Sequence, residues 1–378
     1  MANDKQNTSP NVPNLRFPEF CEEWMRCTLG DITENFSRRN KEEIHYPMFS
    51  VTNNKGFIPQ SEQFEDREMI GEDIKAYKII HKDDFAYNPA RINVGSIAKY
   101  NEENPCMISS LYVCFKTNPK IDNDWMMQLL KTPKMNFYYN INGEGGVRIY
   151  LFYPNFARIK TSYPTLKEQQ KISSFLTLLD ERISTQNKII EQLQSLIKGI
   201  YDKVFANFSE YNTLSTICKI QKGQQVNGEE LSEYGEYYVM NGGIEPSGYY
   251  DKYNTLPNTI SISEGGNSCG YVQFNTVPFW SGGHCYSLQD INIEYSTHFV
   301  YHYLKSKEKE IMALRIGSGL PNIQKKDLEK FPIPVLSLEI QISIVNGINK
   351  IETKLKHEKD ILSAYQTQKA YLLRNLFI

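Results

Sequence analysis

None of the seven cysteines is spaced C-x-x-C from another, and an odd number cannot all pair among themselves. Both facts argue against a zinc site and a disulfide framework, so Cys21, Cys27, Cys106, Cys114, Cys218, Cys269 and Cys285 are expected to be reduced, packed thiols. No uninterrupted apolar run approaches the ~20 residues that span a bilayer, and the polar start MANDKQNTSPNVPN lacks the apolar centre of a signal peptide. A cytoplasmic location without a membrane partner is the expectation. A basic excess is missing as well: 42 Lys and Arg against 44 Asp and Glu leave a formal charge of −2. Any affinity for a polynucleotide then rests on local stripes of Lys and Arg, or on basic partner chains. Catalytic signatures are equally scarce. The chain has no G-x-x-x-x-G-K-[ST] or H-E-x-x-H, and Asn88-Pro89-Ala90 falls short of the Asn/Asp-Pro-Pro-aromatic tetrapeptide of amino-methyltransferases. A non-enzyme is expected, with no catalytic residue, metal or cofactor of its own.

What is present is a repeat. The 378 residues suffice for two or three domains. Leu166 to Phe205, LKEQQKISSFLTLLDERISTQNKIIEQLQSLIKGIYDKVF, contains no proline and reads as one long helix. Its apolar residues Ile172, Leu176, Leu179, Ile183, Ile190, Leu193, Ile197, Ile200 and Val204 step alternately by four and three, with Gln186 in the vacant seam position. That is a heptad seam. The end of the chain repeats it at Ile344, Ile348, Ile351, Leu355, Leu362, Tyr365, Leu372 and Leu376, with Glu358 and Lys369 filling the remaining positions. Each lies 172 residues after its counterpart, as Glu358 lies after Gln186. YPTLKEQQ (Tyr163 to Gln170) before the first helix answers IPVLSLEIQ (Ile333 to Gln341) before the second.

Upstream, Met25 to Asn40 resembles Glu210 to Asn227 more weakly, and FSVTNNKGFIP (Phe49 to Pro59) resembles VMNGGIEPSG (Val239 to Gly248). Short apolar runs separated by turn signals make these regions mostly β with some helix. The expected division is a disordered start over 1–14, a globular domain over 15–162, a helix over 163–207, a second globular domain over 208–333 and a second helix over 334–378. Two amphipathic helices of about 40 residues, neither stable alone in water, are expected to pair as an antiparallel coiled coil. The whole is an α+β chain with a pseudo-two-fold repeat, in which Gln186 and Glu358 meet mid-seam. Two unlike domains at a fixed separation suit a ligand that repeats along one axis, as duplex DNA does, and predict a bipartite, asymmetric target.

The layout, together with T-L-G-D-I (Thr28 to Ile32), P-T-L-K-E-Q-Q-K-I (Pro164 to Ile172), L-L-D-E-R-I (Leu178 to Ile183) and Y-L-L-R-N-L-F (Tyr371 to Phe377), resembles the specificity subunits of Type I restriction-modification systems. The resemblance covers nearly the whole chain from about Leu15. It implies that each globular region is a target-recognition domain for double-stranded DNA, and that the helices dock two methyltransferase subunits that carry S-adenosylmethionine. It also implies restriction/translocase subunits that use ATP and Mg, in a defence against foreign DNA.

Candidate readers in the first domain are Arg38, Arg39, Asn40 and Lys41 on a basic loop, Asn88, Arg91 and Asn93 in YNPARINVGS, and Arg148 beside the glycines of NGEGGVRIY. Arginine suits phosphate or the guanine edge, asparagine the adenine edge. A solvated charge run is the bland alternative for the first group. In the second domain the candidates are Lys219, Gln221, Lys222, Gln224 and Gln225, then Asn267 in SEGGNSCG, His284 in FWSGGHC, and Asn322, Lys325 and Lys326 in RIGSGLPNIQKKD, the segment that answers NGEGGVRIY. A lone histidine more often completes a structural hydrogen bond. Two other classes compete: a coiled-coil scaffold whose globular domains bind proteins, and a self-contained nuclease, for which no carboxylate cluster stands out.

Overall fold

The computed structural model of the chain describes residues 10–63, 74–146, 149–317 and 321–378. The chain divides into two compact units, one numbered 1–185 with 361–378 and the other 186–360. The division falls within the two long helices and not at their ends.

In the first unit, strands β1 (Thr33–Phe36), β2 (Phe85–Tyr87), β3 (Ile97–Lys99) and β4 (Val113–Thr117) form an antiparallel sheet in the order β1-β4-β2-β3. Phe85 and Phe115, opposite each other on β2 and β4, are fully buried and stacked with centroids 4.9 Å apart. Such a cross-strand aromatic pair fixes register as well as adding apolar burial. Helix α1 (Asn123–Leu130) starts at Asp122, whose side chain accepts from Trp125 N at 2.8 Å, an N-cap satisfying one of the otherwise unpaired first-turn donors. Trp125 is buried among Trp24, Leu129, Leu176 and Phe377. Met25–Thr28 pairs antiparallel with Lys160–Tyr163 and leads the chain into α2 (Leu166–Val204).

The second unit uses the same plan on a different sequence. Strands β5 (Lys219–Lys222), β6 (Thr259–Ser263), β7 (Val272–Asn275) and β8 (Cys285–Gln289) take the order β5-β8-β6-β7. Helix α3 (Thr297–Ser306) is capped by Ser296, Tyr211–Thr213 pairs antiparallel with Pro332–Pro334, and α4 (Leu338–Asn375) follows. The repeat legible in the helices therefore extends through both globular regions.

One glutamine explains why each long helix begins as it does. Gln169 and Gln341, 172 residues apart and both fully buried, make the same three bonds. Gln169 accepts from Asp122 N at 2.8 Å and donates to Lys120 O and Pro164 O at 3.0 and 2.9 Å. Gln341 accepts from Ser296 N at 2.8 Å and donates to Glu294 O and Leu336 O at 2.9 Å each. Each side chain fastens its long helix to the N-cap of the shorter one, and the buried amide is satisfied by the chain it holds.

The helices pair antiparallel within each unit. In the first, Lys369 of α4 contacts Asp180 of α2, whose other oxygen accepts from Gln128 at 3.1 Å. In the second, Gln186 Nε2 donates to Glu358 Oε2 at 2.5 Å and to Glu358 O at 3.0 Å. The two polar seam positions thus meet. Ile172, Leu176, Leu179, Ile190 and Ile348 are buried, whereas Ile183, Leu193, Ile344, Ile351, Leu355, Leu362 and Tyr365 are half-buried, as two helices alone cannot enclose a seam. Near each helix start Ser173 and Val345, again 172 apart, are buried too, because the helix there also faces its globular core.

The start of the chain departs from expectation. Residues 1–9 lie outside the described residues, but Asn11 donates to Trp24 O at 2.6 Å and Ser162 Oγ at 3.1 Å, and Pro13 is buried. Arg16 forms a two-pronged pair with buried Glu168 at 2.7 Å through both oxygens. A short polar segment that looks disordered by composition is tied down by specific buried partners. All seven cysteines are free thiols, five of them buried. Burial pushes Cys106, Cys114 and Cys218 up to about 12, which leaves them poor nucleophiles. Among the described residues no helix is long and apolar enough to cross a membrane, and no cluster of three His, Cys, Asp or Glu could hold a metal.

Candidate nucleic-acid interface

Equivalent topology puts equivalent loops in the same place. The loop from β2 to β3 and the loop from β6 to β7 both leave the same end of the central strand pair, and each meets a second loop from far along the chain. In the first unit Leu151 N donates to Pro89 O at 3.0 Å, beside a turn closed by Glu144 and Tyr150. In the second Ile323 N donates to Glu264 O at 2.9 Å and Gly266 N to Pro321 O at 3.1 Å, beside a turn closed by Ile316 and Asn322. Backbone bonds anchor both loops, so their outward side chains stand on a fixed base.

Several expected readers in the first unit are occupied internally. Arg38 donates to Asp84 at 2.9 Å and Ile79 O at 3.2 Å, and its guanidinium lies 4.8 Å from the Phe36 ring centroid. Asn40 is fully buried, donating to Ile44 O at 2.8 Å and accepting from Ile44 N at 3.1 Å. Asn93 donates to Asn140 Oδ1 at 3.0 Å, and its carbonyl accepts from Asn136 at 2.5 Å. Asn40 closes a local turn, whereas Arg38 and Asn93 are held by partners more than 40 residues away. Arg39, Lys41 and Arg91 remain exposed. Arg148 lies outside the described residues.

Arg91 and Asn88 line a cavity of about 530 Å³ that Asn53, Asn54, Lys55 and Gln60 also line. Asn88 Oδ1 accepts from Ala90 N at 3.0 Å, which leaves its amide donors uncommitted. Gln60 Oε1 is buried without a hydrogen-bond partner among the described residues. Asn53, Asn54 and Lys55 were legible only as the turn Asn-Asn-Lys-Gly. The usable signal was the match of that turn to Asn241-Gly242-Gly243.

In the second unit the structure gathers residues from four segments. Lys222 Nζ bonds Glu264 Oε1 at 2.6 Å, His284 Nδ1 stands 3.6 Å from Glu264 Oε2, and Gly265 bridges to Asn322. Asn267 is exposed on the same loop as Glu264. Gln225 sits against Gly283, where an added Cβ would come within 2.5 Å of its Oε1. At Gly223 an added Cβ would lie 2.2 Å from Gly282 O, so the loops after β5 and before β8 touch only because no side chain intervenes. Gln221 and Gln225 each donate to the next residue's carbonyl, at 3.2 Å in both cases, and Gln224 is exposed. Lys219 lies at the opposite end of β5 and lines a depression with Lys325, Asp290 and Glu329, where two carboxylates offset two cations. Lys325 stands 3.7 Å from Glu329, Lys326 is exposed, and Asn322 accepts from Gln324 at 2.8 Å. Lys219 and Lys325 therefore stand apart from the cluster at the end of β6.

The profile of the Type I restriction modification DNA specificity domain matches residues 21–195 and 209–364. The chain belongs to this family. Each specificity domain comprises one globular region and much of the long helix that follows it. A candidate type I specificity subunit of Mycoplasma pneumoniae is 32% identical over 167 residues, 44% of this chain and 44% of that protein. A counterpart in Mycoplasma genitalium is 34% identical over 38% of each chain. These two matches thus span less than half of either relative. A candidate type I restriction enzyme specificity subunit of Methanocaldococcus jannaschii is 24% identical over 94% of this chain and 93% of its own length. The crystal structure of the S subunit of a Type I restriction-modification system from M. genitalium has the same fold, with a TM-score of 0.67 and 19% identity over 97% of this chain and 99% of that one. The loops described above lie inside both specificity domains and outside their helices.

Proposed function

We propose that the chain is the non-catalytic DNA-specificity subunit of a Type I restriction-modification complex, reading a bipartite, asymmetric target with one half-site per globular domain. The observation that carries this reading is the sheet order β1-β4-β2-β3, met again as β5-β8-β6-β7, with unlike side chains at the same loop positions. One scaffold used twice with different outward residues suits two different half-sites on one duplex. The paired helices hold the spacing between the half-sites and dock two methyltransferase subunits, which supply S-adenosylmethionine. Restriction/translocase subunits with ATP and Mg complete the complex, which works in the cytoplasm where its DNA lies. In the first domain Arg39, Lys41, Asn88 and Arg91 face the DNA. In the second, Lys222, Gln224, Gln225, Asn267, His284 and Asn322 do so, with Lys326 toward the backbone. A protein-binding scaffold is disfavoured, because the clusters are polar and amide-rich where protein-docking patches have apolar centres.

Methylome sequencing tests this. Cells expressing the cognate methyltransferase subunit, with and without this gene, are expected to differ by one gapped, asymmetric adenine-methylated motif. An unchanged methylome overturns the proposal.

A further inference from the structure

Glu264 is the first residue after β6, and only 10% of its side chain is exposed. Its two oxygens are used unequally. Oε1 accepts from Lys222 Nζ at 2.6 Å and from Tyr286 OH at 2.9 Å. Oε2 is buried and has no hydrogen bond among the described residues, with only the exposed His284 imidazole near it at 3.6 Å. A buried carboxylate oxygen whose lone pairs accept no hydrogen bond is costly, so a donor from outside would complete the site.

The surroundings narrow what that donor is. A phosphate is repelled by the carboxylate, and one carboxylate alone is too few oxygens to hold a hard cation. The cluster presents one acceptor between two donors, since Lys222 and His284 are 53% and 64% exposed. A base edge in the major groove offers the complement, an exocyclic amino group beside an acceptor: N6 and N7 on adenine, or N4 of cytosine beside O6 of its guanine. His284 N is fixed by Asn241 Oδ1 at 3.0 Å, so its ring turns on a fixed stem. A Cβ built at Gly265 would stand 3.7 Å from both His284 Nδ1 and Pro321 O, an ordinary contact distance, so the ring is not wedged against this loop.

We propose that Glu264 accepts the exocyclic amino group of one adenine or cytosine in the second half-site, with His284 turning aside to uncover Oε2 and donating, as Lys222 does, to the neighbouring acceptor. This rests on the DNA-reading function proposed above and assigns one base contact within it.

The test uses the chain assembled with its methyltransferase subunits and a duplex carrying the motif found by methylome sequencing. Each adenine and cytosine of the second half-site is replaced in turn by an analogue with hydrogen in place of the amino group, purine for adenine and 2-pyrimidinone for cytosine. At one position the replacement is expected to weaken binding about tenfold or more, and in E264Q the same replacement is expected to change binding less than about twofold. The analogue that produces the effect identifies the base. Equal sensitivity in wild type and E264Q overturns the inference. If E264Q fails to fold, the wild-type scan still decides, because a half-site indifferent to every amino group excludes the contact. A complex that does not distinguish its motif from a scrambled duplex refutes the DNA-reading function itself, a separate outcome.

Discussion

Two arginines and two asparagines of the first domain separate local composition from physical role. Arg38 and Asn40 sit in a run that reads as a basic loop, yet one is paired with Asp84 and the other is wholly enclosed. Arg91 and Asn88 sit in an equally ordinary stretch and line a polar cavity. R91A is therefore expected to weaken target binding about fivefold or more at unchanged thermal stability, as loss of a base or phosphate contact does. N40A is expected to cost about 1–3 kcal/mol of stability, by stranding the Ile44 amide and carbonyl, with little change in affinity once folded. Titration of DNA binding beside a melting curve distinguishes the two, and the reverse pattern would reassign both residues. The sequence could not reveal this difference, because Asp84 and Ile44 become partners only through the folded turns.

Also at this scale is His302, buried between Tyr201 at 2.9 Å and Asn349 at 3.2 Å. Burial lowers its pKa from the ordinary 6.5 of a histidine to about 4. The folded state thus holds the ring neutral while the unfolded chain protonates it near 6.5, so its contribution is intact above that pH and lost as pH falls toward 4. Nearby Glu352, raised by burial, works in the opposite direction, so the effect is best read as a difference. The stability gap between wild type and H302N is expected to shrink by at most about 3 kcal/mol from pH 7 to pH 4. A gap that stays constant with pH would show that His302 does not titrate in that range.

At the scale of elements, the long helices were the most legible part of the chain, since heptad spacing alone placed their apolar stripe and their polar interruption. Their starts were half legible. The glutamines of YPTLKEQQ and IPVLSLEIQ marked helix entry, but three-bonded Gln169 and Gln341 emerge only when α1 and α3 are in place. Least legible was the sheet order, because its strands are short and pair across long intervals, Thr33 lying opposite Thr117. The Gln186–Glu358 pair allows a direct measurement. A polar pair in a seam fixes register at some cost in stability. Q186L alone strands a half-buried carboxylate and is expected to destabilise by about 1 kcal/mol. Q186L with E358L is expected to equal or exceed wild type by about 1 kcal/mol, as measured by urea denaturation. Additive losses in the double variant would mean the pair stabilises the helices.

For the whole molecule, the proposed function turns on whether the paired helices set the spacing of the two half-sites. Helix length converts into duplex length through two fixed rises, 1.5 Å per residue and about 3.4 Å per base pair. A heptad inserted into both helices, after Gln186 in α2 and before Glu358 in α4, where the antiparallel partners face each other, preserves the seam phase because seven residues return the same face. It lengthens each by about 10 Å, or about three base pairs. The methylated motif is expected to keep both half-sites unchanged and to gain about three unspecified positions between them. A heptad in one helix only throws the seam residues beyond the insertion out of antiparallel register with their partners and is expected to abolish methylation. If the spacer were unchanged with both insertions present, the half-site distance would be set elsewhere, by the partner subunits or by bending of the DNA. The helices would then serve assembly alone.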